Sequence, residues 1–307
     1  LFQRMLEPHT RYRLFLHHLN QTSADRLSLR VRAVEPEEPA GSQGQGPAVD
    51  GGSSSSSSSG SSSSSSSSNS SGGGRLRLTV AGLGISPYPF TSGWQALERY
   101  SAAQADTQTF PLAPWPQEVW SLRLPPGQVA SGYLLLEVDR AAQLTLQLGE
   151  EETPLSPDGV HPRAVIAAPQ AREEVYFNLK DRILELRFGS SGAFRDMDTG
   201  APLRGEYGID YRWDLTVHNP HEVPMPLHLL FIPRGSDGRL LIHVDGKAYQ
   251  TGRTFSGHYN LVNRWVIYPG QTRTFSLWTT PVPAMGYPAI LRFSTYLDPG
   301  WPRHPNP

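Results

Sequence analysis

Tyr12-Arg13-Leu14-Phe15-Leu16-His17-His18-Leu19-Asn20 and Tyr211-Arg212-Trp213-Asp214-Leu215-Thr216-Val217-His218-Asn219 are the two stretches on which the reading of this chain turns. Each opens on Tyr-Arg, reaches an Asn eight residues later, and carries a His close before that Asn. Apolar side chains recur at every second position, the period of a half-buried β-strand. Working outward, an apolar strand then ends at Pro36 in one half and at Pro233 in the other. Arg75-Leu76-Arg77-Leu78-Thr79-Val80-Ala81-Gly82 lines up with Arg239-Leu240-Leu241-Ile242-His243-Val244-Asp245-Gly246. The spacing from Gly82 to Ser92-Gly93 equals that from Gly246 to Ser256-Gly257. Each half then reaches a Trp-bearing strand (Trp120, Trp265) and a Pro-Gly-Gln turn ending at Gln128 or Gln271. Five landmarks in one order point to a tandem duplication.

Between the strands, Gly, Pro, Asn and Asp punctuate the sequence. Strands are expected at Tyr12 to Asn20, Leu27 to Val34, Leu76 to Val80, Trp120 to Leu124, Tyr133 to Val138 and Leu144 to Leu148. The second half adds Val175 to Leu179, Ile183 to Phe188, Tyr211 to His218, Leu227 to Ile232, Leu240 to Val244, Trp265 to Tyr268, Thr274 to Thr279 and Ala289 to Leu297. One helix is expected, Trp94 to Ala103, with Ser92 or Gly93 as its N-cap. Such a pattern predicts an all-β chain of tandem antiparallel β-sandwiches of immunoglobulin-like type.

Gly51 to Gly74 holds only Ser, Gly and Asn69, and offers no apolar group to bury. In the second half the matching interval, Arg234-Gly235-Ser236-Asp237-Gly238, is only five residues long. The tract therefore reads as a disordered insertion, about 37–74, in a hairpin of the first sandwich, and not as a linker. The expected organisation is 1–150 first sandwich, 151–171 connector, 172–298 second sandwich and 299–307 tail. Because Val175 to Phe188 precedes Tyr211 while the first half starts almost at Tyr12, the equivalents of those strands are expected upstream of Leu1.

Composition narrows the function. Outside the tract, Gly and Pro make up 51 of 283 residues, or 18%, against about 12% in ordinary proteins. Long helices are correspondingly disfavoured. A formal charge of −1 with both signs interspersed argues against nucleic acid as a partner. No apolar run approaches the roughly 18 residues of a membrane-spanning helix. With no Cys, disulfides, thiolate metal sites and Cys nucleophiles fall away together.

Catalytic signatures are missing: no phosphate loop, dinucleotide fingerprint, nucleophile elbow or H-E-x-x-H helix occurs. No catalytic, cofactor-binding or metal-ligating residue is assigned. His218, His228 and His243 on adjacent strands would make a three-His site only if those strands shared a sheet face. Asp196-Met197-Asp198-Thr199-Gly200 resembles the start of a calcium loop, but Tyr207 stands where a bidentate Glu is needed. Asn20-Gln21-Thr22 and Asn69-Ser70-Ser71 fit the N-glycosylation triplet. Aromatic side chains in loops offer the one binding hypothesis: Trp94, Trp115, His258 and Tyr259, with Asn260 as a hydrogen-bonding partner, are the candidate ligand contacts. Trp120, Trp213, Trp265 and Trp278 fall inside strand patterns and read as core.

Asn219-Pro220 after a strand, a strand ended by Pro233, and Tyr268-Pro269-Gly270-Gln271 before an alternating strand together resemble bacterial extracellular immunoglobulin-like modules. From Gly205-Glu206-Tyr207-Gly208 through Gln271 the chain is similar to uncharacterised modules of bacterial surface proteins, some attached to copper-amine-oxidase-like stalk domains. What the resemblance implies is place and architecture: a secreted or cell-surface protein with a structural, spacer or adhesion role. Its motifs mark sandwich turns and carry no catalytic residue. Expected partners are surface glycans or other surface proteins, with no cofactor. The alternative is a carbohydrate-binding module using the loop aromatics, and after it a hydrolase with an unidentified site.

Overall fold

The computed structural model describes residues 2–20, 26–34, 74–103, 105–148, 164–167, 170–190, 192, 194–195, 200–282 and 285–297. Most of the Ser/Gly tract and residues 196–199 of the calcium-like loop lie outside them. The first half contains β1 (Phe2–Leu6), β2 (Arg11–Leu19), β3 (Arg26–Ala33), β4 (Arg75–Ser86), α1 (Pro89–Ser101), β5 (Asp106–Pro111), β6 (Gln117–Arg123), β7 (Val129–Val138), β8 (Ala142–Leu148) and β9 (Ala164–Ala167). The second begins with β10 (Gln170–Asn178), β11 (Ile183–Phe188), β12 (Asp210–His218), β13 (Met225–Pro233), β14 (Asp237–Gly238) and β15 (Leu241–Val244). It continues with β16 (Lys247–Gln250), β17 (Thr254–Phe255), β18 (Asn260–Ile267), β19 (Thr272–Thr279) and β20 (Ala289–Ser294).

Four sheets form two sandwiches. Sheet I has the order β1-β8-β3-β6 and faces sheet II, β5-β4-β7-β2-β9. Sheet III, β10-β12-β19-β15-β16, faces sheet IV, β11-β20-β13-β18. The all-β class holds. One pairing departs from the antiparallel expectation, since β10 runs parallel to β12.

The halves agree in register as well as in order. Leu19 pairs with Val129 and His218 with Thr272, each the last position before its Asn. A bulge interrupts β3 between Leu29 and Arg30 against β6, and another interrupts β13 between Leu229 and Leu230 against β18. The two Asn residues do the same work. Asn20 N–H donates to Gln128 O at 2.9 Å and Asn20 O accepts from Gly127 N–H at 2.7 Å, while its Nδ2 donates to Leu124 O at 2.6 Å. Asn219 repeats all three bonds with Gln271 at 3.0 Å, Gly270 at 2.8 Å and Ile267 at 2.9 Å. Gly127 and Gly270 take φ of 77° and 67°, left-handed backbone that a Cβ disfavours. Each Pro-Gly-Gln turn is thereby stitched to the strand beside it.

Alternation along β2 assigns its two faces. Tyr12, Leu14 and Leu16 enter the first core, while Phe15 joins the cluster of the second. Burying such a Leu contributes roughly 1.5–3 kcal/mol.

Four expectations change. First, β3 lies in sheet I and β4 in sheet II, so the Ser/Gly tract falls in a connection between sheets and not in a hairpin. The five-residue interval after Pro233 likewise links sheet IV to sheet III. Second, β1 pairs with β8 as β11 pairs with β20, so the equivalent of Ile183 to Phe188 is present within the chain. The place of β10 beside β12 is taken in sheet II by β9, which runs antiparallel to β2. Third, the stretch 151–171 is therefore more than a connector, because β9 completes a sheet. Fourth, Ser92-Gly93 lies inside α1 while Ser256-Gly257 forms a turn, so their equal spacing is coincidence.

The helix itself starts earlier than expected. Pro89 occupies its first turn, where a missing N–H costs nothing. Ser92 is fully buried, and its hydroxyl bonds Pro89 O and Ser131 Oγ at 2.9 Å each instead of capping. Gly82 and Gly84 of β4 let α1 lie directly on the sheet: a Cβ on either would strike the backbone oxygen of Ala96 or Ser92.

Candidate functional site

Chemistry-bearing side chains converge where the two sandwiches meet. Arg13 projects from β2 on the face opposite the first core, and Asp210 is the first residue of β12. Arg13 Nη1 donates to Asp210 Oδ1 at 3.0 Å and to Gly208 O at 2.7 Å. Nη2 donates to Asp210 Oδ2 at 3.1 Å and to Tyr100 OH at 2.7 Å. Tyr100, from α1, in turn donates to Asp210 Oδ2 at 2.8 Å. The fork of the guanidinium matches both carboxylate oxygens, the geometry in which such pairs are strongest. Side-chain exposure is 6% for Arg13 and 2% for Asp210, so water competes for neither.

Aromatic rings seal this clamp. Tyr133 of β7 stacks on Tyr100 with centroids 4.7 Å apart, and Phe15 lies 5.3 Å from Tyr133. On the other side Trp278 of β19 sits 5.6 Å from Tyr100 and 4.8 Å from His243 of β15. Ser101 Oγ and His243 Nε2 hydrogen-bond at 2.5 Å across the junction. Burial drives the protonation states. It works against the charge on Arg13, yet the Asp210 carboxylate outweighs it and the guanidinium is held above its ordinary range. Burial raises the phenols of Tyr100 and Tyr133 well above the usual tyrosine value, keeping both neutral. It lowers the pKa of His243, favouring the uncharged ring.

A second locus joins α1 to the far end of sheet III. Trp94 is 6% exposed and packs with Leu97, Leu241, Val282 and Met285, and the Arg239 guanidinium covers its ring at 3.7 Å. Gln250 Nε2 reaches Glu98 at 3.5 Å nearby.

The aromatics singled out from sequence are scattered. Trp94 is buried at the junction, and its ring faces protein. Tyr259, 2% exposed, packs on Leu230, Ile232 and Ile290 on the outer side of sheet IV. Asn260, also 2% exposed, spends its Nδ2 on Gly252 O at 3.1 Å and on Thr254 Oγ1. His258 is half-buried beside them, its N–H donating to Phe255 O at 3.1 Å. Trp115 alone of the five stands free, 66% exposed. Of the Trp residues read as core, Trp213 is buried; Trp120 and Trp265 pack half-buried at core margins, and Trp278 serves the junction.

His218, His228 and His243 do not converge. His228 is on sheet IV and bonds Ser294 O at 3.1 Å; the other two are on sheet III, bonded to Thr272 and Ser101. Among the described residues no three His, Asp or Glu groups are placed to share a metal ion. Asn20 of the first glycosylation triplet is fully buried with its amide engaged, and Asn69 of the second lies outside the described residues.

The clamp itself went unread in the sequence. Its one trace is a charge, Arg13, set in the otherwise apolar run Tyr12 to Leu16. Nothing in a linear sequence pairs that residue with Asp210, 197 positions on.

No family model matches the chain, and no curated protein matches it. Among solved structures, Lac15 from a marine microbial metagenome is similar at 13% identity and a TM-score of 0.16, over 90% of this chain. The chain spans 52% of that structure's length. The CupB6 tip adhesin from Pseudomonas aeruginosa is similar at 10% identity and a TM-score of 0.18, over 99% of this chain and 93% of that one. The N-terminal CBM22-1-CBM22-2 tandem domain from Paenibacillus barcinonensis Xyn10C follows at 8% identity and a TM-score of 0.14, over 95% and 74%. Scores of this size leave fold and chemistry to be read from this chain's own residues.

Proposed function

We propose that the chain is a non-enzymatic, rigid tandem β-sandwich of the cell surface or extracellular space, serving as a spacer or adhesion module. The observation that carries this reading is the buried Arg13–Asp210–Tyr100 clamp. It ties a strand of one sandwich to a strand of the other through a helix, where a flexible two-domain protein would have a wet, polar contact. Charged groups so placed are committed to geometry. Asp210 is used up by Arg13 and Tyr100, and Glu206, also fully buried, by Tyr211 OH and Gly192 N–H. A glycoside hydrolase needs two carboxylates facing each other across roughly 5–10 Å of open cleft. Of three surface clefts among the described residues, of about 240, 260 and 390 Å³, one is lined by a carboxylate, Asp106.

The absence of native Cys makes a direct test clean. Spin labels at Thr107→Cys in the first sandwich and Glu222→Cys in the second report the distance between the halves by electron double resonance. A rigid spacer gives one narrow distribution that Asp210→Ala broadens. A broad distribution in the parent protein would remove the reading.

A further inference from the structure

The outer face of sheet I carries a set of side chains that the scaffold role leaves unused. Along β8, Ala142, Leu144 and Leu146 enter the first core, so Gln143 and Thr145 face outward, while Gln147 on the same side is only 3% exposed. Along β3, Leu27, Leu29 and Val31 enter the core, and Arg30 and Arg32 face outward with them. Register sets these into rows, because residues directly opposite one another share a face. Gln3 of β1, Thr145 of β8 and Arg30 of β3 form one row. Met5, Gln143 and Arg32 form the next. Gln3, Arg30, Arg32, Gln143, Thr145 and Gln147 line a cleft of about 240 Å³, and Pro116 contributes to its wall. Trp115, next in sequence to Pro116, is 66% exposed and presents a free aromatic face.

We propose that this face binds an anionic polysaccharide, a site distinct from the clamp and independent of the spacer reading. Three features choose that ligand. Neither Arg30 nor Arg32 has an ion-pair partner among the described residues, and no carboxylate lines the cleft, so the surface presents two uncompensated positive charges to an acidic group. The amides of Gln3 and Gln143 and the hydroxyl of Thr145 supply paired donors and acceptors, which vicinal sugar hydroxyls match and an acidic peptide uses poorly. Strands about 4.8 Å apart deliver these groups at steps comparable to one sugar residue, and an exposed indole provides the apolar platform for a pyranose face. Nucleic acid is disfavoured by the chain's overall charge of −1.

The test uses the full chain in titrations with polygalacturonate, dextran sulfate, neutral dextran and polyglutamate at 150 mM salt. Saturable binding to polygalacturonate, dextran sulfate or both is expected, with the two arms separating carboxylated from sulfated ligands. Trp115→Ala should weaken it at least tenfold with an unchanged melting temperature. Arg30→Gln combined with Arg32→Gln should abolish it, again without loss of folding. No binding to either anionic polysaccharide, equal binding to dextran or polyglutamate, or affinity indifferent to these substitutions would overturn the site.

Discussion

The two sandwiches share one frame, and two of the places where they differ make the junction. Between β15 and β16 the second sandwich turns through Asp245 and Gly246 alone. At the equivalent point the first extends β4 to Ser86 and inserts α1 before β5. That helix supplies Tyr100, Ser101 and Trp94, each of which contacts the second sandwich. The other difference is the edge strand beside β2, where antiparallel β9 stands in for the parallel β10 of its counterpart. Its chain leads within two residues into β10 itself. The shared features, bulge and Asn-stitched turn, hold each sandwich together; the unshared ones join the two.

The comparison can be broken most forcefully at the clamp. Asp210→Ala strands a buried guanidinium and should cost about 3–5 kcal/mol, separating one melting transition into two. Replacing both partners by Leu should recover much of that loss, because no charge is left buried alone. A melt of Asp210→Ala that stays single and unshifted would show that the clamp does not couple the halves.

Next in size is the helix seat. Gly84→Ala puts a Cβ onto the backbone of α1 and should cost about 1–3 kcal/mol. Gly246→Ala meets no neighbour within 4 Å, and its cost comes from a φ of 78° alone. Amide exchange in α1 should rise for the first variant only.

Sharing is tested at the turns. Asn20→Ala and Asn219→Ala each remove the side-chain bond to the carbonyl before the turn, and Asn219→Ala also removes bonds with Val223 O and His221 N–H, so each should destabilise by at least about 1–3 kcal/mol. Denaturation giving a loss for one Asn and none for the other would undo the equivalence of the two turns.

A smaller effect concerns pH. His243 has its pKa lowered by burial, so the unfolded chain takes up protons before the folded one. Stability from this group is full above the ordinary histidine value near 6.5 and is lost as pH falls below it. His243→Gln should flatten that part of the stability curve. Smallest of all, removing residues 51–73 should raise stability by less than about 1 kcal/mol through loop entropy, with Gly74 kept because its carbonyl accepts from Leu112 N–H at 2.6 Å.

How much of this was legible follows from what a linear pattern encodes. Strands with one face in a core announce themselves by alternation, as β2, β12 and β19 do, while β7 and β13, buried on both faces, read as short apolar runs. Matching Arg75–Gly82 to Arg239–Gly246 placed β4 and β15 in the register the structure shows, Thr79 opposite Leu135 as His243 is opposite Trp278. Among the edge strands β6, β10, β11 and β18 are legible, whereas β1, β5, β9 and β16 are not; β5, Asp106–Pro111, is exposed along almost its whole length and has little to alternate. The start of α1 is hard to place because Ser92 resembles a cap in sequence, whereas the marker is Pro89 in the first turn. Sheet membership was also hidden, since a connection between sheets and a hairpin look alike in sequence. Trp94 looked like a loop aromatic because the Arg239 and Met285 that bury it come from the other half of the chain.

Calorimetric unfolding of the intact chain bears most directly on the central claim, that the clamp and α1 make one body of two sandwiches. The account predicts a single transition whose calorimetric and van't Hoff enthalpies agree. Two resolved transitions, each with the enthalpy of one sandwich, would contradict it.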